Sequence, residues 1–229
     1  MKTEFDPVTH IGKVDGEIWP SVTQLLSEFK LVDFSHVPDE RLEYKRILGT
    51  RVHYATVLID NGSFDEDHAK ENFPEILPYL EAYRKFRTIE NFEPVHKENR
   101  LFSKKWRFHG APDESGINLS LHNGYPVMID YKCTYAMYPS TGPQLSGYDI
   151  LIRENAKELG LDANLFRKQT KRYGLLLKPN GHYELHPFED ANDKQDFLAC
   201  LWLHWAKRNK YKTSKGDFKN GNGHDGNGI

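Results

Sequence analysis

Cysteine is scarce in this 229-residue chain, which contains only Cys133 and Cys200. Two thiols cannot build the disulfide framework on which small secreted domains depend. They also cannot supply the four thiolates that usually hold an iron–sulfur cluster. We therefore expect a cytoplasmic protein with free thiols and without an iron–sulfur cluster.

Long apolar runs are also lacking. No stretch approaches the roughly 20 apolar residues that span a bilayer, and the opening MKTEFDPVTHIGK has no apolar signal region. A helicase-type GxxxxGK[ST] loop is absent as well. These features predict no membrane contact, and they favour a stand-alone domain or one that joins a separate partner.

A strong excess of charge of either sign is missing too, because the formal net charge is only −2. A basic excess is the usual sign of nucleic-acid binding, and this sequence does not have it. A metal-dependent site can nevertheless supply local positive charge inside an acidic protein. Any case for a polyanionic substrate must therefore come from particular residues.

Apolar residues at helical spacing predict five helices. The first opens in Trp19–Gln24, where Ser21 and Gln24 fit a capping box. The others are expected at about Glu40–Ile59, Pro74–Ile89, Gln144–Leu159 and Asp190–Asn209.

Other segments have the composition of strands. They are Val95–Phe102, Trp106–Ala111, Tyr125–Cys133, Tyr173–Leu177 and Tyr183–Phe188. Asn123-Gly124 is a common hairpin turn, and it predicts that the second and third of these strands are antiparallel neighbours.

The order of these elements predicts an α/β (α+β) fold, a mixed sheet with helices packed on it. We expect a single domain over residues 1–213, with N-terminal helices at about 20–90, the sheet at about 93–188 and a final helix at about 190–209. Residues 214–229 are rich in Gly, Asn and charge, and we predict that they are disordered.

The segment PVMIDYKCT places Asp130 and Lys132 at the end of an apolar run. Such a run is typical of a central strand buried on both faces. Residues two apart on a strand share a face at a spacing of about 7 Å. Two charges in that setting are costly unless they have partners, which makes this pair a candidate site.

An ordinary explanation must be weighed against a site, because the acid-x-Lys pattern occurs four times in the chain. The three other matches lie in predicted helices or in the tail, at Glu28–Lys30, Glu43–Lys45 and Asp217–Lys219. A solvated surface hairpin with one Asp–Lys ion pair would explain Asp130 and Lys132 equally well.

Asp113 is predicted to end the preceding strand, in Phe108–Asp113. If the hairpin folds back, Asp113 and Asp130 meet at one end of the sheet. Two close carboxylates repel each other unless a cation lies between them, and hard oxygen ligands suit Mg²⁺ or Mn²⁺. Lys132 would then hold or deprotonate a water, or stabilise negative charge in the transition state.

These residues resemble the PD-(D/E)xK nuclease superfamily, and specifically its RecB-like and phage-exonuclease branch. The resemblance covers about Pro20–Tyr148 through short motifs in matching order. They are Pro20-Ser21-Val22-Thr23, Gly49-Thr50 followed by His53, Gly110-x-x-Asp113, Asp130-x-Lys132 and Gln144-x-x-x-Tyr148. The resemblance implies a restriction-endonuclease-like core.

The resemblance also implies a Mg²⁺-dependent (or Mn²⁺-dependent) deoxyribonuclease, with an exonuclease of phage-recombination type expected first. Asp113, Asp130 and the backbone carbonyl of Tyr131 would bind the metal. His53 would be a third ligand or a group that orients one. Gln144 and Tyr148 share a helix face and would point toward the site.

Further candidates are weaker. Glu98 is a possible additional acid, although its charged neighbours favour a solvated face. Two basic clusters are candidate DNA contacts, and the solvated reading is the simpler one for both. They contain Lys104, Lys105 and Arg107 in one, and Lys171 and Arg172 in the other.

Two alternatives stay open at this stage. One is a structure-specific or restriction-like endonuclease, and the other is a catalytically silent DNA-binding or assembly module on the same fold. The resemblance further allows a homo-oligomer, a recombination partner protein and, for a phage-encoded chain, the cytoplasm of a bacterial host.

Overall fold

The computed structural model describes residues 2–7, 9–35, 37–97, 99–118, 125–162, 164 and 168–210. The strands of these residues are β1 (Thr3–Asp6), β2 (Ile11–Val14), β3 (Glu17–Trp19), β4 (Phe92–Lys97), β5 (Leu101–Ser103), β6 (Phe108–Gly110), β7 (Glu114–Asn118), β8 (Pro126–Lys132), β9 (Lys171–Leu177) and β10 (Tyr183–Pro187). The α-helices are α1 (Val22–Glu28), α2 (Asp39–Asp60), α3 (Glu66–Asn72), α4 (Leu77–Glu90), α5 (Thr141–Asn155) and α6 (Asp193–Asn209). A 3₁₀ turn at Pro74–Ile76 leads into α4.

The strands form three sheets within the described part of the chain. The largest has the order β10-β9-β8-β7-β4, and the other two are β1-β2-β3 and β5-β6. In the large sheet β8 pairs antiparallel with β7 and parallel with β9. The fold is therefore mixed α/β with a mixed sheet, as the order of elements predicts.

Strand β8 is the central strand of the large sheet, and its residues are buried up to Lys132, which is half-buried. Its side chains alternate between two apolar cores. Val127, Ile129 and Tyr131 pack with the buried faces of α2 and α4, whereas Met128 packs with α1, α5 and α6. The buried central strand predicted from the apolar run is confirmed, and helices cover both faces of the sheet.

Helix α5 connects β8 to its parallel neighbour β9 and lies against the face that carries Met128. Its apolar residues Leu145 and Leu151 are fully buried there. Gly147 allows α6 to approach, since a Cβ at Gly147 would lie 2.8 Å from the Phe197 ring. The packing fixes which face of α5 looks toward the end of β8.

The predicted pairing of the Trp106–Ala111 segment with β8 is wrong. The structure splits this region into β6, which pairs with β5, and β7, which pairs with β8. Pro112 stands between the two strands and has no N–H to donate to a ladder, so pairing cannot run through it. Asn123-Gly124 lies outside the described residues, but β7 and β8 are antiparallel neighbours.

Sequence reasoning also missed several elements. The N-terminal sheet β1-β2-β3 and helix α3 were not expected, and the predicted Val95–Phe102 strand is two strands, β4 and β5. The capping box of α1 is confirmed, because Ser21 Oγ accepts from the Gln24 N–H at 3.1 Å and Gln24 Oε1 accepts from the Ser21 N–H at 2.9 Å. The predicted disordered tail lies outside the described residues.

No helix among the described residues combines the length and the apolar character that crossing a bilayer requires.

Candidate active site

Side chains from three segments meet at the end of β8. The three segments are α2 with His53, the residue Asp113 just before β7, and α5 with Gln144 and Tyr148, and they meet Asp130 and Lys132 of β8 itself. All six were candidates from sequence. Their roles in catalysis stay predictions. The contacts form two groups at this strand end: His53 and Asp113 meet the Tyr131 backbone, and Asp130, Lys132, Gln144 and Tyr148 meet one another. The charge of Asp113 acts on Asp130 and Lys132 and so relates the two groups.

Asp130 is the most deeply buried charge of the set, with 1% of its surface exposed. Its Oδ2 atom lies 2.5 Å from Lys132 Nζ. Lys132 is thus the charged partner of Oδ2, since its ammonium can donate to a carboxylate oxygen at this distance. Both oxygens of the buried Asp130 carboxylate therefore have partners, Lys132 at Oδ2 and Gln144 at Oδ1.

Gln144 links the two charged residues of β8 to helix α5. Its Nε2 donates to Asp130 Oδ1 at 2.8 Å, and its Oε1 accepts from Lys132 Nζ at 3.2 Å. Because one amide contacts both side chains, Asp130 and Lys132 lie on the same face of β8, as the strand period predicts. The arrangement also fixes the amide orientation, since its donor and acceptor ends meet opposite partners.

Tyr148 lies one turn after Gln144 and its hydroxyl accepts from Gln144 Nε2 at 3.2 Å. Burial, with the charges of Asp130 and Asp113 adding to it, raises the pKa of Tyr148 far above its usual range, so the phenol stays protonated. Gly110 makes room for the ring, because a Cβ there would lie 2.9 Å from Tyr148 Cε1. This contact gives a physical reason for glycine in the Gly110-x-x-Asp113 motif.

Asp113 reaches the same strand end from the other side. Its Oδ2 accepts the backbone N–H of Tyr131 at 2.7 Å, and its Oδ1 lies 3.3 Å from His53 Nδ1. The other ring nitrogen of His53, Nε2, lies 3.2 Å from the Tyr131 carbonyl oxygen. Both neighbours of the imidazole are acceptors, so both contacts are hydrogen bonds only when both ring nitrogens carry protons. His53 thus contacts two of the predicted metal ligands.

The surroundings shift the pKa values of the two carboxyl groups in opposite directions. Burial raises the pKa of Asp130 to about 6, with the charge of Lys132 opposing this effect and the charge of Asp113 adding to it. Burial also acts to raise the pKa of Asp113, but His53 and Lys132 outweigh it and the pKa falls below its usual value. Asp113 is therefore the carboxylate that ionises first.

Lys132 remains an ammonium in this setting. Burial acts to lower its pKa, but the negative charges of Asp130 and Asp113 outweigh that effect and raise it. A charged Lys132 is a donor and a source of positive potential, not a base. Among the roles considered from sequence, this geometry favours charge stabilisation over proton abstraction.

The donor set suits a hard divalent cation. Two carboxylates and the Tyr131 carbonyl are oxygen ligands of the kind that Mg²⁺ and Mn²⁺ take. Across the described residues, no group of three or more His, Cys, Asp or Glu side chains has the arrangement of a metal site. A cation held here would need ligands beyond such side chains, and Mg²⁺ commonly keeps several waters.

A cleft of about 490 Å³ opens beside Tyr148. Gly110 and Ala111 line it next to the Asp113 segment, and Arg100 supplies a positive charge. Other lining residues are Thr9, His10, Ser21 and Thr23. Among the six described residues of the candidate site, Tyr148 is the one that lines the cleft, so the cleft borders the site at Tyr148.

The first basic cluster lies on the turn between β5 and β6. Lys104 pairs with Glu158 at 3.2 Å, and the backbone N–H of Lys105 donates to Glu154 at 2.9 Å. Glu154 is ten positions beyond Gln144 on α5, which is about 15 Å along the helix. The cluster is therefore set apart from the carboxylates. Arg107 is paired with Glu17 and lies 4.2 Å above the Trp205 ring.

The two residues of the second basic cluster differ in burial. Arg172 is largely buried, and its guanidinium contacts Asp193 at 3.0 Å and the Asp190 carbonyl at 2.8 Å. Its donors hold α5 and α6 to the sheet, so the predicted DNA contact at Arg172 is replaced by a structural role. Lys171 is half-buried at the start of β9. Glu98 lies outside the described residues.

Lys45 was missed at the sequence level. It belongs to the acid-x-Lys match Glu43–Lys45, which was set aside as ordinary helix charge. The structure brings its ammonium to the end of β8, where Nζ donates to the Cys133 carbonyl at 3.3 Å. No local pattern reveals this contact, because it depends on how α2 packs across the sheet.

No protein-family model matches the chain, and no curated protein matches its sequence.

Proposed function

We propose that the chain is a metal-dependent DNA nuclease with a restriction-endonuclease-like core of the PD-(D/E)xK type. An exonuclease of phage-recombination type is the activity proposed first. Support comes from the sequence resemblance together with the contacts at the end of β8. DNA is the proposed substrate because the branch that the sequence resembles acts on DNA.

The observation that carries the proposal is the contact of Asp130, Lys132 and Gln144 with one another, together with the charge of Asp113 that acts on Asp130 and Lys132. A solvated surface hairpin would leave these side chains exposed, yet Asp130 is almost fully buried and Lys132 is half-buried. Burying two carboxylates close together is costly, and a structural ion pair needs only one of them. The second carboxylate and the bridging amide are better explained by a site that binds a cation.

Asp113, Asp130 and the Tyr131 carbonyl would hold the cation, and His53 would orient Asp113 and Tyr131. When bound, a divalent cation stabilises negative charge on a phosphate and makes water a stronger nucleophile. The raised pKa of Asp130 means that a cation must compete with a proton below about pH 6. Gln144 keeps Asp130 oriented whichever of the two is bound.

The protein's own contribution to hydrolysis is position and charge. Lys132, as an ammonium, donates to a non-bridging phosphate oxygen and stabilises the charge that grows there. Water adds to phosphorus, the bond to the leaving 3′ oxygen breaks, and the proton lost by the water ends on that oxygen or in solvent. Tyr148 stays protonated and borders the cleft, so its hydroxyl positions the phosphate.

The direct test is the release of labelled nucleotides from linear DNA in the presence of Mg²⁺. We expect the wild type to degrade the substrate and Lys132→Ala to be slower by about 100-fold or more, since one charge-stabilising donor is lost. Lys194→Ala, an exposed lysine on α6, is the matched control and should retain full activity. Circular dichroism of each variant separates lost chemistry from lost folding.

The same assay separates the alternatives. A closed circular substrate that survives while linear DNA is degraded supports an exonuclease, whereas cleavage of the circle supports an endonuclease. Binding of DNA with no release under Mg²⁺ or Mn²⁺ would identify a catalytically silent module and refute the proposed activity.

A further inference from the structure

The loop between β8 and α5 carries a tyrosine that the fold does not use. Tyr135 has 96% of its surface exposed, the largest exposed fraction among the large apolar and aromatic residues of the described chain. Single exposed aromatic residues are common and need no explanation by themselves. The surroundings of Tyr135 are what distinguish it.

The backbone around Tyr135 is held in place on both sides. Before it, the Cys133 carbonyl accepts from Lys45 Nζ, and Thr134 Oγ1 donates to the Ala136 carbonyl at 2.8 Å. After it, the Met137 thioether packs so closely on Gly174 that a Cβ there would lie 2.5 Å from it.

The same loop is also fixed further along. The Tyr138 ring packs edge-on against Phe34 at 6.1 Å between centroids. The Thr141 N–H then donates to the Tyr138 carbonyl at 3.0 Å as α5 begins. An exposed ring on an anchored loop can bind a flat partner at a low cost in conformational entropy.

The loop that carries Tyr135 joins the two elements that supply Lys132 and Gln144 to the candidate active site. It leaves β8 directly after Lys132 and returns to the helix that supplies Gln144. Tyr135 is three positions after Lys132, so their Cα atoms are at most about 11 Å apart. Stacked nucleotides advance by about 3.4 Å along a strand, so this Cα separation corresponds to about three nucleotides.

Charge at the base of the loop fits a nucleic-acid strand. Lys45 places an ammonium at Cys133, between Lys132 and Tyr135. Proteins that bind single strands combine positive charge along the backbone with aromatic rings on which bases stack. Inside a duplex both faces of a base are already covered, so a protruding ring finds a free face only at an unpaired base or on the last pair of a duplex end.

We propose that Tyr135 stacks on an unpaired base close to the scissile phosphate, so that the strand on this side of the site is single-stranded. This inference rests on the proposed nuclease function, because it takes DNA as the substrate. It adds a specificity: the site accepts an unpaired strand, and a fully paired duplex must fray before it reaches Lys132.

Binding tests the inference without cleavage. Fluorescein-labelled oligothymidylate is titrated, with Mg²⁺, into the Lys132→Ala protein and into the same protein carrying Tyr135→Ala or Tyr135→Phe. We expect Tyr135→Ala to raise Kd about tenfold and Tyr135→Phe, which keeps the ring, to stay within about twofold. Tyr54→Ala is the control, since Tyr54 is 64% exposed on α2 but lies on another surface.

A second substrate identifies stacking itself. Oligothymidylates with one abasic position are scanned along the strand. At one position the missing base should raise the Kd of the Lys132→Ala protein about tenfold, as Tyr135→Ala does on the intact strand. With that abasic strand, adding Tyr135→Ala should raise the Kd no further. Three outcomes would each overturn the inference. The Tyr135→Ala protein could bind as tightly as its parent, a blunt duplex could bind more tightly than the single strand, or no abasic position could change the Kd.

Failure of this inference differs from failure of the nuclease proposal. If wild-type protein releases nucleotides while Tyr135→Ala binds single strands unchanged, the activity stands and the stacking role falls. The opposite result is that wild-type protein releases no nucleotides, while Tyr135→Ala still weakens the binding of single strands. In that case the stacking role stands and the nuclease activity is refuted.

Discussion

Gln144 Nε2 donates to Asp130 Oδ1 at 2.8 Å, across the interface between α5 and the end of β8. The same amide accepts from Lys132 at 3.2 Å, so a single neutral side chain connects a buried carboxylate to its counter-charge. Removing the amide would leave Asp130 with the ion pair alone. Gln144 is therefore a positioning residue whose effect should exceed that of any other glutamine on the surface.

Gln144→Ala should lower the rate of DNA hydrolysis about 10- to 100-fold, as is typical when a group that orients metal ligands is lost. The decrease should appear in kcat rather than in KM, because Gln144 contacts Asp130 and Lys132 and not the bulk of the strand. Steady-state kinetics on labelled DNA measures both. Gln195→Ala, on the exposed face of α6, is the matched control, and an equal decrease there would contradict a local role.

Gly110→Ala tests why glycine stands beside the site. The added Cβ would lie 2.9 Å from Tyr148 and 3.0 Å from Leu151, and both are buried. We expect a loss of about 1–3 kcal/mol in the free energy of unfolding, as for other overpacked cores. Urea denaturation of the wild type and the variant measures it.

Gly49→Ala is the opposite control for that measurement. A Cβ at Gly49 meets nothing within 4 Å, and the residue lies inside α2. Alanine there should stabilise the protein by about 0.5–1 kcal/mol. If both substitutions change the free energy of unfolding equally, the contact of Tyr148 with Gly110 does not explain why glycine stands at position 110.

His109 predicts how stability depends on pH. It is fully buried, and burial, followed by the charge of Arg100, lowers its pKa to about 4. The unfolded chain binds this proton near pH 6.5, whereas the folded chain binds it only near pH 4. Stability should therefore fall as pH drops from about 6.5 to 4, by up to about 3 kcal/mol from this residue.

The difference between wild type and His109→Gln isolates that contribution. Unfolding by urea is measured for both at several pH values between 4 and 7. The variant should lose part of the pH slope even if it is less stable throughout. Parallel curves for the two proteins would contradict the assignment.

Local signals in the sequence were enough for several parts of the fold. The capping box of Ser21 and Gln24 and the apolar run of β8 depend on neighbouring residues, so a single sequence can reveal them. Asp15-Gly16 was also such a signal and was passed over. Both residues have positive φ values, 48° and 83°, in the turn between β2 and β3, which is the turn that Asp-Gly favours.

Long-range pairing could not be predicted in the same way. Asp113 was expected at the end of the strand before β8 and next to it in the sheet. That strand is β6, which ends at Gly110, and Asp113 lies beyond it, immediately before β7. The expectation that Asp113 approaches β8 survives the wrong pairing, because β7 carries the chain back along β8. Which strands pair depends on packing across the whole sheet, as does the contact of Lys45 with Cys133.

The most direct test of the central claim is calorimetric titration of Mn²⁺ into the metal-free protein. We expect the wild type to bind Mn²⁺ and Mg²⁺ to compete for the same site. Asp113→Asn and Asp130→Asn should each weaken binding at least about tenfold, as expected when a ligand or its orientation is lost. Asp67→Asn, whose side chain is 96% exposed on α3, should bind as the wild type does. Absence of binding in the folded wild type, or equal affinity in the Asp113 and Asp130 variants, would contradict a shared cation site.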